Sequence, residues 1–198
     1  KERVVSPKPL FFNKKMFRQW CKQKNYSHAK AISHVLMDGG ILSVPFEDTE
    51  ELYKVYAKCI KSGEKVFLVE QKTEIFNFFV DLDYQDEDVL NLHEINSIVN
   101  IICEKIECFK TDAHAIVSVA EPKKKGSNMK TGVHINWDNV VVDQVTAIQL
   151  MYHIIKALNS VYSSKDWKTV IDQSVYGDPN TNSGGSGFRI PWSHKKGK

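Results

Sequence analysis

Asp81 and Asp83 close an apolar run, Phe78-Phe79-Val80-Asp81-Leu82-Asp83. Side chains alternate along a strand, so carboxylates at i and i+2 share one face while Leu82 points to the other. Two hard oxygen donors so placed suit Mg²⁺ or Mn²⁺. Like charges on an apolar strand cost stability unless a cation compensates them. The competing reading ends the strand at Val80 and leaves both acids solvated, merging with Asp86-Glu87-Asp88. Spacing alone divides the two evenly.

A second segment, Lys130-Thr131-Gly132-Val133-His134-Ile135-Asn136-Trp137, alternates in the same way. Lys130, Gly132, His134 and Asn136 face one side, and Val133, Ile135 and Trp137 face the core. A lysine and a histidine flanking a glycine can offer two donors to a phosphate where no side chain blocks close approach. Taken alone, His134 is more readily a satisfied histidine on an exposed sheet face. A lone acid, Asp172, follows Val170-Ile171; in isolation it reads as a turn or cap, and its weight depends on meeting Asp81 and Asp83. Phe188-Arg189-Ile190-Pro191-Trp192-Ser193-His194-Lys195 reads either as a surface tail bent at proline or as a phosphate-binding segment using Arg189 and Lys195. The remaining six histidines show no zinc-type spacing.

Helices and strands must position these groups. A basic helix is expected over 12–24, a second over Ser27–Met37 stopped by Asp38-Gly39-Gly40, and a short strand over Ile41–Val44. Leu52, Val55, Tyr56, Cys59 and Ile60 form a helical stripe, as do Leu92, Ile95, Ile98, Ile102 and Ile106, and again Val145, Ile148, Met151, Ile155 and Leu158. Strands are expected at Val66–Val69, Ile75–Val80 and Ala115–Ala120. Thr131–Trp137 and Val140–Val142 are expected to form a hairpin across Asp138-Asn139, whose residue types suit a turn. The segments from Pro122 to Asn128 and from Gly177 to Gly187 read as loops. The alternation argues for an α+β fold, helices packed on a mixed or antiparallel sheet.

With 198 residues, 42% hydrophobic and 26% charged, the chain has the composition of a soluble globular protein with a substantial core. Disordered, collagenous and mucin-like classes are excluded, and no apolar run is long enough to span a bilayer. Four scattered cysteines without a CxxC pair suggest reduced, mostly buried thiols in an intracellular compartment. The chain begins at Lys1 without methionine and ends in Lys195-Lys196-Gly197-Lys198, which suggests a piece of a longer protein. The net charge of +3 is unevenly spread: nine basic residues against Glu2 alone in positions 1–30, a patch at Lys123-Lys124-Lys125 with Lys130, and a basic end. Acids gather at Glu47–Glu51 and Asp81–Asp88. Basic ends around an acidic middle suit a polyanion held beside a metal-dependent centre, although any one charge run is by itself usually a solvated face.

The order of these elements is more distinctive than any one of them. DxD ending an apolar strand, K-x-G-x-H on a strand, hydrophobic-Asp, then F-R-I-x-x-S-x-K resembles the archaeo-eukaryotic primase (AEP) superfamily, particularly primase-polymerases and the primase domains of large DNA-virus helicase-primases. The resemblance runs from about Val66 to the C-terminus, and Val175-Tyr176 also fits it. It implies an AEP-like core with an RRM-like sheet module over 46–198, preceded by a basic N-terminal helical segment over 1–45. It implies a DNA-templated primase/polymerase that makes and extends primers by two-metal nucleotidyl transfer. Asp81, Asp83 and Asp172 would hold two Mg²⁺ or Mn²⁺ ions. His134 would act at the catalytic centre and, with Lys130 and Gly132, contact the incoming nucleotide, whose triphosphate Arg189, Ser193 and Lys195 would also hold. Gly132 departs from the serine of many members, and the 177–187 segment lacks arginines often present there. Lys14, Lys15, Arg18, Lys123, Lys124 and Lys125 would track single-stranded DNA template or primer by charge. Substrates would be NTP or dNTP. A C-terminal helicase would follow in the full-length chain, at a nuclear replication site or a cytoplasmic viral factory. The alternatives are a polymerase-β-type nucleotidyltransferase, disfavoured by the absence of a Gly-Ser pair before DxD, a DxD glycosyltransferase, or an inactive primase-like module that binds nucleic acid.

Overall fold

The computed structural model describes residues 15–27, 31–181 and 183–195. Lys14, Lys196 and Lys198, among the basic residues noted above, lie outside them. Two units separate by contact: residues 1–71 with 189–198, and residues 72–188.

In the first unit, α1 (Met16–Gln23) buries Phe17 and Cys21. The Glu64 carboxylate accepts from the Phe17 amide, 3.2 Å from both oxygens, and so satisfies a donor at the helix start. Strands β1 (His34–Leu36) and β2 (Ile41–Leu42) follow, then α2 (Thr49–Lys61) and β3 (Leu68–Glu70). The expected helix over Ser27–Met37 is not formed. Its described part carries β1, which pairs antiparallel with β2 and with β3, His34 opposite Glu70 and Leu36 opposite Leu68. Asp38-Gly39-Gly40 ends no helix but turns the chain between two strands. Both glycines sit at positive φ, 111° and 129°, and Asp-Gly is a hairpin signal. The α2 stripe behaves as its spacing predicts: Leu52, Tyr56 and Cys59 are buried with Leu36, Leu42 and Leu68.

The second unit begins with β4 (Ile75–Asp86), then α3 (Leu92–Phe109), β5 (Ala115–Val119), β6 (Lys123–Lys125), β7 (Asn128–Asp143), α4 (Gln144–Val161) and α5 (Trp167–Val170). The strand order is β4-β7-β5, with β6 also on β7, and every pairing is antiparallel. α3 starts at a capping box: Asn91 Oδ1 accepts from the Glu94 amide at 3.0 Å, and Glu94 Oε2 from the Asn91 amide at 2.8 Å. Its buried stripe (Ile95, Ile98, Ile102, Ile106) and that of α4 (Leu150, Ile154, Leu158) join one core with Phe78, Val80 and Leu82 of β4 and Val133, Ile135 and Trp137 of β7. The helices therefore cover one face of the sheet, and the residues that alternate with these, Phe79 and Gly132 as well as the polar Asp81, Asp83 and His134, lie on the other. Each fully buried aliphatic side chain contributes about 1.5–3 kcal/mol to holding that face. The architecture is α+β, as expected, with antiparallel sheets flanked by helices.

β7 departs from expectation. The hairpin expected across Asp138-Asn139 is replaced by one unbroken strand to Asp143 with a bulge. Asn136 pairs with Phe79 but Val141 with Asn77, so the β7 side carries extra residues there. Asn139 serves the preceding loop, accepting from the His114 amide at 3.0 Å and donating to the Asp112 carbonyl at 2.6 Å. The lysines of the Pro122–Asn128 segment form β6 rather than a loop. Of the cysteines, Cys21 and Cys59 are buried and Cys108 is exposed; all are free. No helix among the described residues is long and apolar enough to cross a membrane. At its end the chain passes through β8 (Phe188–Arg189) back into the first unit.

Candidate active site

β4 continues to Asp86, so the reading that ends it at Val80 is set aside: Asp81 and Asp83 lie within the strand, on the face away from the helices. Register places His134 directly opposite Asp81 and Gly132 opposite Asp83, with Lys130 opposite Gln85 and diagonal to Asp83. His134 Nε2 lies 3.3 Å from Asp81 Oδ1, and Lys130 Nζ lies 2.5 Å from Asp83 Oδ2. Gly132 leaves room beside them. A Cβ added there would be 4.0 Å from Asp83 Oδ1 and 3.6 Å from Ala120 Cβ.

Asp172 reaches this face from the end of α5. Ile171 bridges Leu82 in antiparallel fashion, and the Asp172 amide donates to the Asp81 carbonyl at 2.9 Å. That register sets Asp172 opposite Asp81, with the apolar partners Leu82 and Ile171 both turned to the core. Asp172 and Asp81, 91 positions apart in the chain, therefore stand at one strand pairing, with Asp83 two residues further along β4. Asp172 Oδ1 also accepts from the amide of Ser174 at 3.0 Å and from its hydroxyl at 2.6 Å, starting the 3-10 turn Gln173–Tyr176. The cap expected of an isolated Asp is thus present as well.

Below the acids is an aromatic floor. Tyr176 is fully buried, stacks on Phe79 at 5.4 Å and donates its hydroxyl to the Phe79 carbonyl. Burial first, and the negative charges of Asp81 and Asp172 after it, push its phenol well above the ordinary range. Phe188 stacks on Phe79 at 4.1 Å and packs against the His134 ring at 4.7 Å. Sequence reasoning had no role for Phe188, Ser174 or the Lys130–Asp83 pair. Asp172-Gln173-Ser174 is an Asx-turn pattern that could have given the second; the others require the register.

The donor set is of the type that suits a hard divalent cation: carboxylates at i and i+2, a third acid opposite the first, and a lysine supplying compensating charge. Even so, no group of three or more His, Cys, Asp or Glu side chains among the described residues is gathered tightly enough to hold one. Asp83 is on Lys130 and Asp172 on Ser174.

Arg189, Ser193 and Lys195 belong to the first unit, where Arg189 Nη1 donates to the Ser193 carbonyl at 3.3 Å, Ser193 is buried and Lys195 exposed. Lys15 is exposed, while Arg18 is paired with Asp38 at 2.5 Å. Lys123, Lys124 and Lys125 are exposed on β6, adjoining the Asn128–Lys130 end of β7.

Residues 33–182 match the family described as the C962R protein N-terminal AEP domain. The chain belongs to that family. No curated protein matches it. The matched span of this AEP domain contains Asp81, Asp83, Lys130, Gly132, His134 and Asp172, and ends before Arg189, Ser193 and Lys195. AEP domains form a nucleotidyltransferase-type superfamily of primases and polymerases, generally metal-dependent.

Proposed function

We propose that this AEP domain catalyses DNA-templated nucleotidyl transfer, making and extending primers during replication. The observation that carries the reading is the Asp172 amide bonded to the Asp81 carbonyl, which supports three carboxylates acting as one centre. Two Mg²⁺ or Mn²⁺ ions bound by Asp81, Asp83 and Asp172 would neutralise charge on the reacting α-phosphate and the departing pyrophosphate. Asp172 turns from Ser174 to join that set. Lys130 exchanges Asp83 for the triphosphate, and its charge then opposes that of the nucleotide instead of the carboxylate. His134, packed between Phe188 and Asp81, donates to a phosphate oxygen. Gly132 lets the triphosphate approach the β7 backbone. Arg189, Ser193 and Lys195 bind phosphates of an NTP or a dNTP. The attacking 3′-hydroxyl belongs to a primer or a first nucleotide held on single-stranded template, whose backbone Lys14, Lys15, Arg18 and Lys123–Lys125 follow through charge. A C-terminal helicase in the full-length chain, at a nuclear replication site or a cytoplasmic viral factory, would supply that strand.

The test is incubation with single-stranded template, Mg²⁺ or Mn²⁺ and each nucleotide pool, with products resolved by length. Asp81→Asn and Asp172→Asn should each lower the rate by at least about 10²-fold. Undiminished synthesis by Asp81→Asn removes the assignment.

A further inference from the structure

Trp192 is 79% exposed and stands at φ +62°. The Ser193 amide donates to the Ile190 carbonyl at 3.1 Å, closing a four-residue turn with Pro191 second and Trp192 third. Positive φ at the third position, after proline, is the geometry of a type II turn, where glycine is the usual residue. A side chain there meets the steric cost of left-handed backbone, and for a bulky residue it is a true outlier. The turn is firmly held: Tyr56 donates its hydroxyl to the Pro191 carbonyl at 2.7 Å, and the His194 amide donates to the Val66 carbonyl at 2.8 Å. Ile190 and Ser193 on either side of Pro191-Trp192 are buried. The backbone is thus fixed while the indole is presented to water, an arrangement that does nothing for the fold and that glycine would serve better. Strain of this kind concentrates at ligand sites.

Two cations bracket Trp192 in sequence, Arg189 three residues before and Lys195 three after, and the Arg189 guanidinium donates to the Ser193 carbonyl. An exposed aromatic side chain on a tight turn, with one cation shortly before the turn and one shortly after it, is of the size that suits a single nucleotide, whereas a strand needs an extended basic track. We propose that Trp192 is the stacking platform for the base of a nucleoside triphosphate whose phosphates meet Arg189 and Lys195. This deepens the nucleotide-binding part of the function proposed above and rests on it.

Calorimetric titration of the full chain with ATP and Mg²⁺, with inorganic tripolyphosphate and with a short oligothymidylate tests it. Trp192→Gly should weaken ATP about 5- to 150-fold, leave tripolyphosphate unchanged because it has no base, and keep or raise the thermal midpoint because the strain is relieved. Trp192→Phe should retain most of the ATP affinity. Four results overturn the proposal: equal ATP affinity in Trp192→Gly, tripolyphosphate weakening in step with ATP, a lowered thermal midpoint, or loss confined to oligothymidylate, which would assign the ring to a strand. A wild-type chain that binds no ATP overturns it too. Binding that depends on Trp192 without any primer synthesis would sink the nucleotidyl-transfer reading and leave the platform standing. Primer synthesis with unaltered binding in Trp192→Gly would do the reverse.

Discussion

At Gly132 the chain has a glycine that its backbone does not need. Its φ lies outside the left-handed region, and an added Cβ would meet only ordinary contacts, 3.6 Å to Ala120 Cβ and 4.0 Å to Asp83 Oδ1. Gly132→Ser, the residue common at this place in the AEP superfamily, should therefore fold with stability within about 0.5 kcal/mol of the parent. It should also lower the KM for nucleotide by adding a hydroxyl beside Asp83. Denaturant unfolding and steady-state kinetics check both, and a lost fold would refute the spatial argument. His34 offers a second test. It is 3% exposed, its Nδ1 is 3.0 Å from Ser33 Oγ, and its ring meets Tyr53 edge-on; Glu70, itself raised by burial, lies opposite in the sheet. Burial pulls the imidazole down to about 4. Between its unfolded pKa, near 6.5, and about 4 the unfolded chain binds the extra proton, so stability falls as pH drops through that window and levels off below it. From pH 7 to pH 5 the loss is about 2 kcal/mol, and His34→Phe should remove that dependence in urea titrations. At this scale the sequence exposed much: the shared face of Asp81 and Asp83, and that of Lys130 with His134, follow from a period of two. Lys130 resting on Asp83 does not, because a diagonal pair 47 positions apart depends on the register between two strands distant in the chain.

Elements were legible where one stripe decides them. α2, α3 and α4 each carry enough turns for the apolar period to exceed noise. β1 is three residues long, too short for any period, and its identity comes from pairing with β2 and β3. Asp138-Asn139 has the composition of a turn, yet pairs with β4 on both sides, and with β5 as far as Trp137, keep β7 continuous and turn the surplus into a bulge. The meeting of Asp172 with Asp81 was suggested only by family resemblance, since no local pattern encodes a bridge between residues 82 and 171. The segment after Asp172 is fixed by backbone close approach. Gly177 has φ +75°, and a Cβ there would run into the Ser183 carbonyl oxygen. Gln144 Nε2 donates to the Tyr176 and Ser183 carbonyls at 2.8 Å each, tying the same segment to α4. Gly177→Ala should cost more than about 1 kcal/mol. Hydrogen exchange should rise across 172–187 while α3 stays protected, and primer synthesis should fall with it. Exchange unchanged in 172–187 would show that this turn does not hold Asp172.

For the whole chain, the division into two units makes different demands on the two parts. Residues 72–188 are contiguous, own a core with Phe78, Trp137 and Ile102 at its centre, and carry both long helices with their caps. They also hold all three acids with His134 and Lys130. The other unit is closed only when 189–198 returns to 1–71: Ile190 enters its core, Tyr56 bonds the Pro191 carbonyl, and the His194 amide bonds Val66. A fragment of 72–188 should therefore fold by itself, with a cooperative thermal transition and slow exchange in α3 and α4. A fragment of 1–71 should lack such a transition until a peptide of 189–198 is added, because the core then lacks Ile190, the Val66 carbonyl loses its amide donor and the Tyr56 hydroxyl loses its acceptor. Its midpoint should then rise with peptide concentration, as mass action requires of a ligand that binds only the folded state. Circular dichroism on the two fragments, alone and with peptide, decides the matter. An unfolded 72–188 would mean that the carboxylate-bearing sheet depends on the remainder of the chain, and a 1–71 fragment indifferent to the peptide would mean that the returning segment, with Trp192 on it, is not part of that core.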